Sequence, residues 1–266
     1  MMQFIVVLAV AGLLYNNYER IKPYIPERIR APLERFGKDV NQTVIHIHTL
    51  VLVLTMVYMI PGLDWIGFTF QYWFYYAALW TAFAGSCVTI SANNGPPPIR
   101  EGWGKCKEYL GKLSTGVEFQ WLFYVLIFFS ADPFFLVLLV PARRSFTALT
   151  KHIVKFVPHV PQLQAYKTTI DELVAKEPEV LLAATIAEVL LGWYLILGIF
   201  LFENKQFLVV LLYWQFLRMR YHAPRSKAVH EKAWGVIGEK VDPVVSKVPP
   251  VEKAVDMVKT YFKKPM

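Results

Sequence analysis

Five long apolar runs constrain what this chain can fold into, since each is long enough to form a helix that needs an apolar environment. The runs are Val44–Ile60, Trp65–Ile90, Phe119–Val140, Val180–Phe202 and Phe207–Leu217. Hydrophobic residues make up 55% of the 266 residues and charged residues only 18%, against roughly 25% charged in ordinary soluble domains. A soluble core of this size cannot hide so much apolar surface. The sequence therefore predicts an all-α, polytopic membrane protein of helical hairpins with C-terminal amphipathic helices.

Three segments follow from the distribution of charge and proline. Residues 1–43 hold an N-terminal apolar run, Phe4–Tyr15, and a basic, proline-rich stretch. Residues 44–221 are predicted to form a multi-span helical domain. Residues 222–266 are predicted to form a basic amphipathic region. The Phe4–Tyr15 run is shorter than the roughly 20 residues that span a bilayer. It is not preceded by the positive charge of a secretory signal peptide. We expect it to be a retained anchor or an interfacial helix.

Basic residues predict the orientation of the spans. Lys and Arg cluster before Val44, after Ile90, after Val140 and after Leu217, and such clusters favour the cytosolic side. If all four clusters face the cytosol, the first two runs pair as one hairpin and the last two as another.

The middle run must then enter and leave the membrane on the same side. Asp132 and Pro133 interrupt it, and two interpretations stay open: a single kinked helix, or a shallow hairpin with this dipeptide at its tip. In the hairpin, Asp132 is expected to cap the second helix, with Pro133 in the first turn.

Glu188 is the only acidic residue inside its apolar run. A carboxylate in a membrane segment is costly, so it is a candidate functional residue, as a proton relay or an ion ligand. The alternative is a structural role, in which it bonds two helices together. His46 and His48 point to different faces of a helix, and no catalytic motif is present. We therefore predict a protein that is not an enzyme, with no catalytic, cofactor-binding or metal-binding residues.

The C-terminal region has the pattern of two basic amphipathic helices. From Arg218 to Met266 its net charge is +6, from 11 basic and 5 acidic residues. Apolar residues recur at helical spacing from Val229 to Val241 and from Val251 to Phe262. Such helices favour an anionic membrane surface, although docking on a partner protein is the alternative. The predicted membrane-surface residues are Lys232, Trp234, Lys240, Lys247, Lys253, Lys259 and Phe262.

Partners and location follow from the same basic residues. Anionic lipid headgroups are the expected partner, and nucleic acid is not, because no nucleic-acid-binding motif is visible. Lys263 and Lys264 occupy the fourth and third positions from the end. They match the dilysine retrieval signal of endoplasmic reticulum membrane proteins, which needs a cytosolic C-terminus and acts as an address rather than an anchor.

Four features of the sequence resemble one known family. They are the turn Tyr58–Leu63 (YMIPGL) with an aromatic return helix, the segment Phe119–Phe128 (FQWLFYVLIF) with the later Pro133, the lone Glu188, and the segment Tyr213–Tyr221 (YWQFLRMRY). From about Val44 to Tyr221 the chain resembles the transmembrane protein 33 family, whereas the Phe4–Tyr15 run and the proline-rich segment after it are not family features. The resemblance implies a multi-span protein of the endoplasmic reticulum and nuclear envelope. It also implies association with reticulon-type shaping proteins and with nuclear pore assembly, and no catalytic residues.

Three functions remain as hypotheses. The first is a non-enzymatic protein that organises membrane shape or scaffolds partner membrane proteins in the endoplasmic reticulum or nuclear envelope. The second is an accessory structural subunit of a larger complex, in this or another organellar membrane. The third is a transporter or channel that uses Glu188.

Overall fold

The computed structural model describes residues 40–60, 70–98, 101–114, 116–157, 164–201, 206–247 and 249–263. These residues form helices and no strands, which confirms the all-α prediction. In chain order the helices are α1 Val40–Met59, α2 Phe70–Asn94, α3 Trp103–Ser114, α4 Val117–Phe128, α5 Phe135–Phe156, α6 Lys167–Ala175, α7 Glu177–Leu201, α8 Phe207–His222, α9 Lys227–Val245 and α10 Pro249–Lys263. The predicted helix at Phe4–Tyr15 and the proline-rich segment after it lie outside the described residues.

The chain divides into two units, Met1–His46 and Ile47–Met266. The first unit contributes only the beginning of α1 to the described residues. The helices that carry the candidate site all belong to the second unit.

Two of the described helices are long and apolar enough to cross a membrane. They contain the segments Gln42–Met59 and Glu177–Ile199, with mean hydropathies of 1.5 and 2.2, and the apolar α4 is shorter. Large apolar side chains remain exposed along α1, α7 and α8, and contiguous apolar surface of this kind is unfavourable in water. These observations support the predicted class, an all-α membrane protein.

The middle apolar run forms two helices rather than one kinked helix. Residues 129–134 separate α4 from α5, and the two helices contact each other in antiparallel order. Near the turn, the Tyr124 hydroxyl donates a hydrogen bond to the Val137 carbonyl, 2.8 Å away. Farther from the turn, the guanidinium carbon of Arg143 lies 5.4 Å from the centre of the Trp121 ring. Of the two interpretations of this run, the hairpin is the one observed.

The predicted cap of the second helix was wrong. The residue before α5 is Phe134, and it makes no side-chain cap. Residues 132–134 are not helical. The Asp132 carboxylate instead accepts a hydrogen bond from Gln206 Nε2 at 2.9 Å, which ties the tip of this hairpin to the residue before α8.

The basic stretches contain helices that include or follow prolines. The stretch after Ile90 contains the 12-residue helix α3, α5 continues through Pro141, and α9 continues through Pro243. Pro249 and Pro250 open α10, where the missing backbone N–H has no partner to lose.

Helix α8 packs closely against α7 because α7 has a glycine at the contact. The Trp214 indole N–H donates a hydrogen bond to the Gly192 carbonyl at 3.2 Å. A Cβ atom at Gly192 would lie 2.8 Å from a methyl carbon of Leu217. A larger side chain at residue 192 therefore requires the Leu217 side chain or the two helices to move.

Replacing Gly192 by leucine is expected to destabilise the protein by about 1–3 kcal/mol, the usual cost of overpacking a filled contact. Thermal unfolding of the detergent-solubilised chain measures the change. Gly235→Leu is the matched control, because nothing lies within 4 Å of a Cβ at this exposed position of α9. Equal melting temperatures for the two variants would show that α7 and α8 are not in close contact at Gly192.

Candidate functional site

The Glu188 carboxylate is fully buried in the middle of α7. Three cationic or titratable side chains surround it. Arg143 Nη2 lies 4.0 Å from Oε1, Arg220 Nε lies 3.5 Å from Oε2, and His230 Nε2 lies 3.6 Å from Oε2. They come from α5, α8 and α9, so one carboxylate brings three other helices to α7.

The backbone at Glu188 is also fixed. The Tyr213 hydroxyl donates a hydrogen bond to the Glu188 carbonyl at 2.8 Å. Tyr213 belongs to an aromatic core between α4 and α8, in which its ring centroid lies 6.1 Å from that of Tyr124 and 5.4 Å from that of Phe128. The position of the carboxylate therefore depends on the same packing that joins α4 to α8.

A tryptophan lies under the arginines. The guanidinium carbons of Arg143, Arg144 and Arg220 lie 5.4, 5.4 and 4.8 Å from the centre of the Trp121 ring. The face of an indole attracts cations within about 6 Å, and more strongly when water is excluded. Trp121 is only 5% exposed. Its ring therefore offsets part of the repulsion between three neighbouring positive charges.

A second carboxylate completes the cluster. Glu118 forms an ion pair with Arg144, and Arg144 also donates a hydrogen bond to the Ser86 hydroxyl of α2 at 3.2 Å. We call the whole cluster the polar layer. Its members are Glu118, Trp121, Arg143, Arg144, Glu188, Arg220 and His230.

Formal charges show what the polar layer can do. Two carboxylates meet three guanidinium groups, which leaves the cluster with an excess of positive charge. Removing one partner of a buried ion pair costs about 3–5 kcal/mol, because the other charge is left without compensation. The arrangement therefore places the Glu188 carboxylate between arginines of two other helices, and this geometry favours helix association over proton or ion transport.

The sequence profile of one family, Transmembrane protein 33/Nucleoporin POM33, matches residues 34–235. The chain belongs to this family. The match confirms the resemblance found in the sequence and includes every member of the polar layer. A comparison with curated proteins and one with solved structures each return no match.

Family membership supports the coarse functional prediction. The chain is a membrane protein, and the description of its family is consistent with a role at the endoplasmic reticulum or nuclear pore membrane. The family is not known for enzymatic activity. Residues 236–266, with the end of α9 and all of α10, lie beyond the match.

The predicted membrane-surface residues fall into two groups. Among the lysines, four are exposed and Lys259 is partly exposed in an ion pair with Asp242 at 2.9 Å. The exposed lysines are Lys232, Lys240, Lys247 and Lys253. Membrane binding by these lysines stays a prediction.

The aromatic residues of the predicted surface pack inside the protein. Phe262 is 3% exposed. Its ring centroid lies 4.9 Å from that of Trp234 and 5.5 Å from that of Trp214. A membrane contact through Phe262 would require α10 to leave this aromatic cluster. Of the predicted retrieval signal, Lys263 is the last residue of α10, while Lys264 lies outside the described residues.

Sequence reasoning found Glu188 but not its partners. Arg143 and Arg220 lie where apolar runs end, and there the positive-inside pattern already accounts for a basic residue. His230 lies beside the apolar stripe of α9 and gave no signal of its own. The lone acid itself could have predicted such partners, since a buried carboxylate requires a cation from another helix.

Burial determines the protonation of His230. Loss of solvent lowers the pKa of His230 from 6.5 to about 4; the nearby Glu188 raises it, whereas Arg220 and Arg143 lower it. The folded protein therefore holds a neutral imidazole at neutral pH. In the unfolded chain the same imidazole becomes protonated near pH 6.5.

Acidification is therefore expected to destabilise the fold, because between pH 6.5 and about 4 the unfolded state binds a proton at His230 that the folded state does not. The loss between pH 7.5 and pH 5 amounts to about 2 kcal/mol. Melting temperatures of the wild type and His230→Asn at both pH values test this, with His46→Asn as the control for an exposed histidine. We expect the pH sensitivity to shrink in His230→Asn alone, and equal sensitivity in all three proteins would contradict a buried neutral His230.

Proposed function

We propose that the protein organises the shape of the endoplasmic reticulum or nuclear-envelope membrane by inserting shallow helical hairpins from the cytosolic face. The hairpins are α4–α5 and α7–α8, which meet in the polar layer. The proposal also assigns the exposed basic faces of α9 and α10 to the lipid headgroups on that face.

The main support for this proposal is the length of the helix segments between the polar layer and the hairpin turns. From Glu188 to Leu201, α7 rises about 20 Å, and from Arg220 back to Phe207, α8 spans about 20 Å. From Arg143 back to Phe135, α5 spans about 12 Å. The hydrocarbon core of a bilayer is about 30 Å thick. If the charged layer lies at the headgroup boundary, these segments fill one leaflet more than the other, which favours curvature.

The charge of the polar layer supports a position at that boundary. Arginine is costly in the bilayer interior and is tolerated near its edge, where the guanidinium group can reach the headgroups. The polar layer holds three arginines. Arg143 and Arg144 lie at the start of the polar half of α5, and Arg220 lies in the last turn of α8. Four exposed lysines on α9, on α10 and in the segment between them add attraction for anionic lipids, worth roughly 1 kcal/mol each near the surface.

A scaffolding role is compatible with the same geometry. A protein held in one leaflet by hairpins can bind other hairpin proteins side by side, and the family resemblance implies reticulon-type partners. The polar layer is an internal structure in this account, so neither flux through Glu188 nor a larger assembly is needed to explain it.

Reconstitution of the full chain into anionic liposomes tests the proposal. At high protein density we expect tubules or small vesicles in electron micrographs, because asymmetric insertion favours a curved bilayer. Vesicles that keep their size and shape at that density would refute membrane shaping.

A charge-matched pair of variants tests the part assigned to the C-terminal helices. Neutralising Lys232, Lys240, Lys247 and Lys253 to glutamine is expected to weaken the shape change. Neutralising four exposed lysines elsewhere, Lys105, Lys107, Lys167 and Lys176, is expected to have a smaller effect. Equal effects of the two sets would show that general charge, rather than the basic face of α9 and α10, attracts the lipid.

A further inference from the structure

Helix α3 joins two apolar helices at one end of the fold. Helix α2 has 25 residues and no charged side chain, and α4 carries its one charged residue, Glu118, in the first turn. The last part of α2 and the beginning of α4 lie close together, because Ile90 and Gly116 line the same groove. In a membrane protein, α3 therefore lies where the chain leaves the apolar region and then returns to it.

One face of α3 packs against these helix ends. The Tyr109 hydroxyl donates a hydrogen bond to the Gly95 carbonyl at 2.8 Å. The Leu113 side chain is buried and lines the same groove as Ile90. The Leu113 carbonyl accepts a hydrogen bond from the Gly116 backbone N–H at 2.7 Å. These contacts hold α3 at the level where α2 ends and α4 begins.

A different face of α3 exposes large apolar side chains. Trp103 is 76% exposed and Leu110 is 47% exposed. The two residues are seven positions apart, which is about two helical turns, so they lie on one face. Lys107 lies between them on that face and is also exposed. A tryptophan and a leucine exposed in one stripe indicate a contact surface.

Position and charge identify lipid as the partner of this face. Tryptophan is enriched where a membrane meets water, since its ring is apolar and its N–H is polar. Helix α3 carries three lysines and one glutamate, a balance that suits anionic headgroups. Helix α6 also exposes an apolar side chain, Leu173, but it carries two acidic residues and one lysine.

We propose that α3 is an interfacial anchor, a helix that lies in the plane of the membrane with Trp103 and Leu110 inserted among the phospholipid headgroups and the upper acyl chains. The apolar pair makes most of this contact. Lys105 and Glu108 lie on the other side of the helix, where they form an exposed ion pair at 3.7 Å.

The anchor determines the depth of the neighbouring helix. Because Leu113 at the end of α3 is hydrogen-bonded to Gly116, a helix that lies in the interface holds the beginning of α4 close to the membrane surface. Glu118 of the polar layer belongs to that first turn. The proposal needs the membrane class of the protein, but it does not need the shape change proposed above.

Site-directed spin labelling tests the anchor in the full-length protein, with one molecule in each phosphatidylserine-containing nanodisc. Cys87 and Cys106 are replaced by alanine, and the label is attached after Leu110→Cys, Glu108→Cys or Leu173→Cys. Leu173 is the matched control, because it is 44% exposed. We expect the label at residue 110 to collide more with oxygen, which concentrates in lipid, and the other two labels to collide more with an aqueous nickel chelate.

Two results would overturn the lipid contact. Equal access of the nickel chelate to residues 110 and 108 would show that both faces of α3 are in water. A label at residue 110 that is protected only when the protein is crowded in liposomes would assign the face to a second copy of the chain. Thermal unfolding confirms that each labelled protein folds, and neither result depends on whether liposomes change shape.

A second substitution tests the part of the tryptophan. Trp103→Ser is expected to raise access of the nickel chelate to a label at residue 110, because the helix loses its larger apolar side chain. Tyr166→Ser removes an exposed aromatic side chain next to α6 and is expected to leave access at residue 173 unchanged. Unchanged access at residue 110 after Trp103→Ser would contradict an anchor that depends on Trp103.

Discussion

The structure of the helical domain depends on the burial of one carboxylate. Glu188 lies in an otherwise apolar stretch of α7, and an isolated carboxylate there would be far less stable than in water. It becomes tolerable only when cations from other helices reach it. Arg143 and Arg220 do so from two other helices, and the neutral His230 ring reaches the carboxylate from a third. The need to compensate one charge thus specifies which helices must be neighbours.

The same interaction relates the fold to the membrane. The compensating arginines lie at the ends of apolar stretches. The polar layer therefore separates the apolar segments of the hairpins from the basic residues that flank them. Trp121 stabilises this layer, because three guanidinium carbons lie 4.8–5.4 Å from the centre of its ring. Apolar lengths of about 12–20 Å beyond the layer fit the shallow insertion that we propose.

The sequence was informative where the hydrophobic pattern acts locally. The apolar runs of α1, α7 and α8 and the breaker at Asp132-Pro133 could be read directly, because each reflects a burial requirement within one segment. The lone Glu188 stood out for the same reason. The sequence led to no prediction for helix α3. Trp103, Cys106, Leu110 and Leu113 have helical spacing, but the prolines and glycines on the N-terminal side of this stretch are typical of a loop.

Long-range pairing could not be read from single segments. Arg143 and Arg220 have an adequate local explanation as cytosolic flanking charges, and only the folded structure brings them to Glu188. The burial of His230 and Phe262 likewise depends on how α9 and α10 pack, since an amphipathic stripe fits a membrane surface and a protein surface equally well. The stripe predicted that these helices have an apolar face but not what covers it.

A double-mutant cycle between Glu188 and Arg220 tests the central claim most directly. In melting experiments on the solubilised protein, Glu188→Gln and Arg220→Gln are each expected to destabilise strongly, because each leaves a buried charge uncompensated. The double variant is expected to be more stable than the sum of the single effects predicts, with a coupling of about 1–3 kcal/mol. The exposed pair Lys105 and Glu108 provides the control cycle, with coupling below about 1 kcal/mol. Additive effects at Glu188 and Arg220 would contradict the account, since they would show that the two buried charges do not stabilise each other.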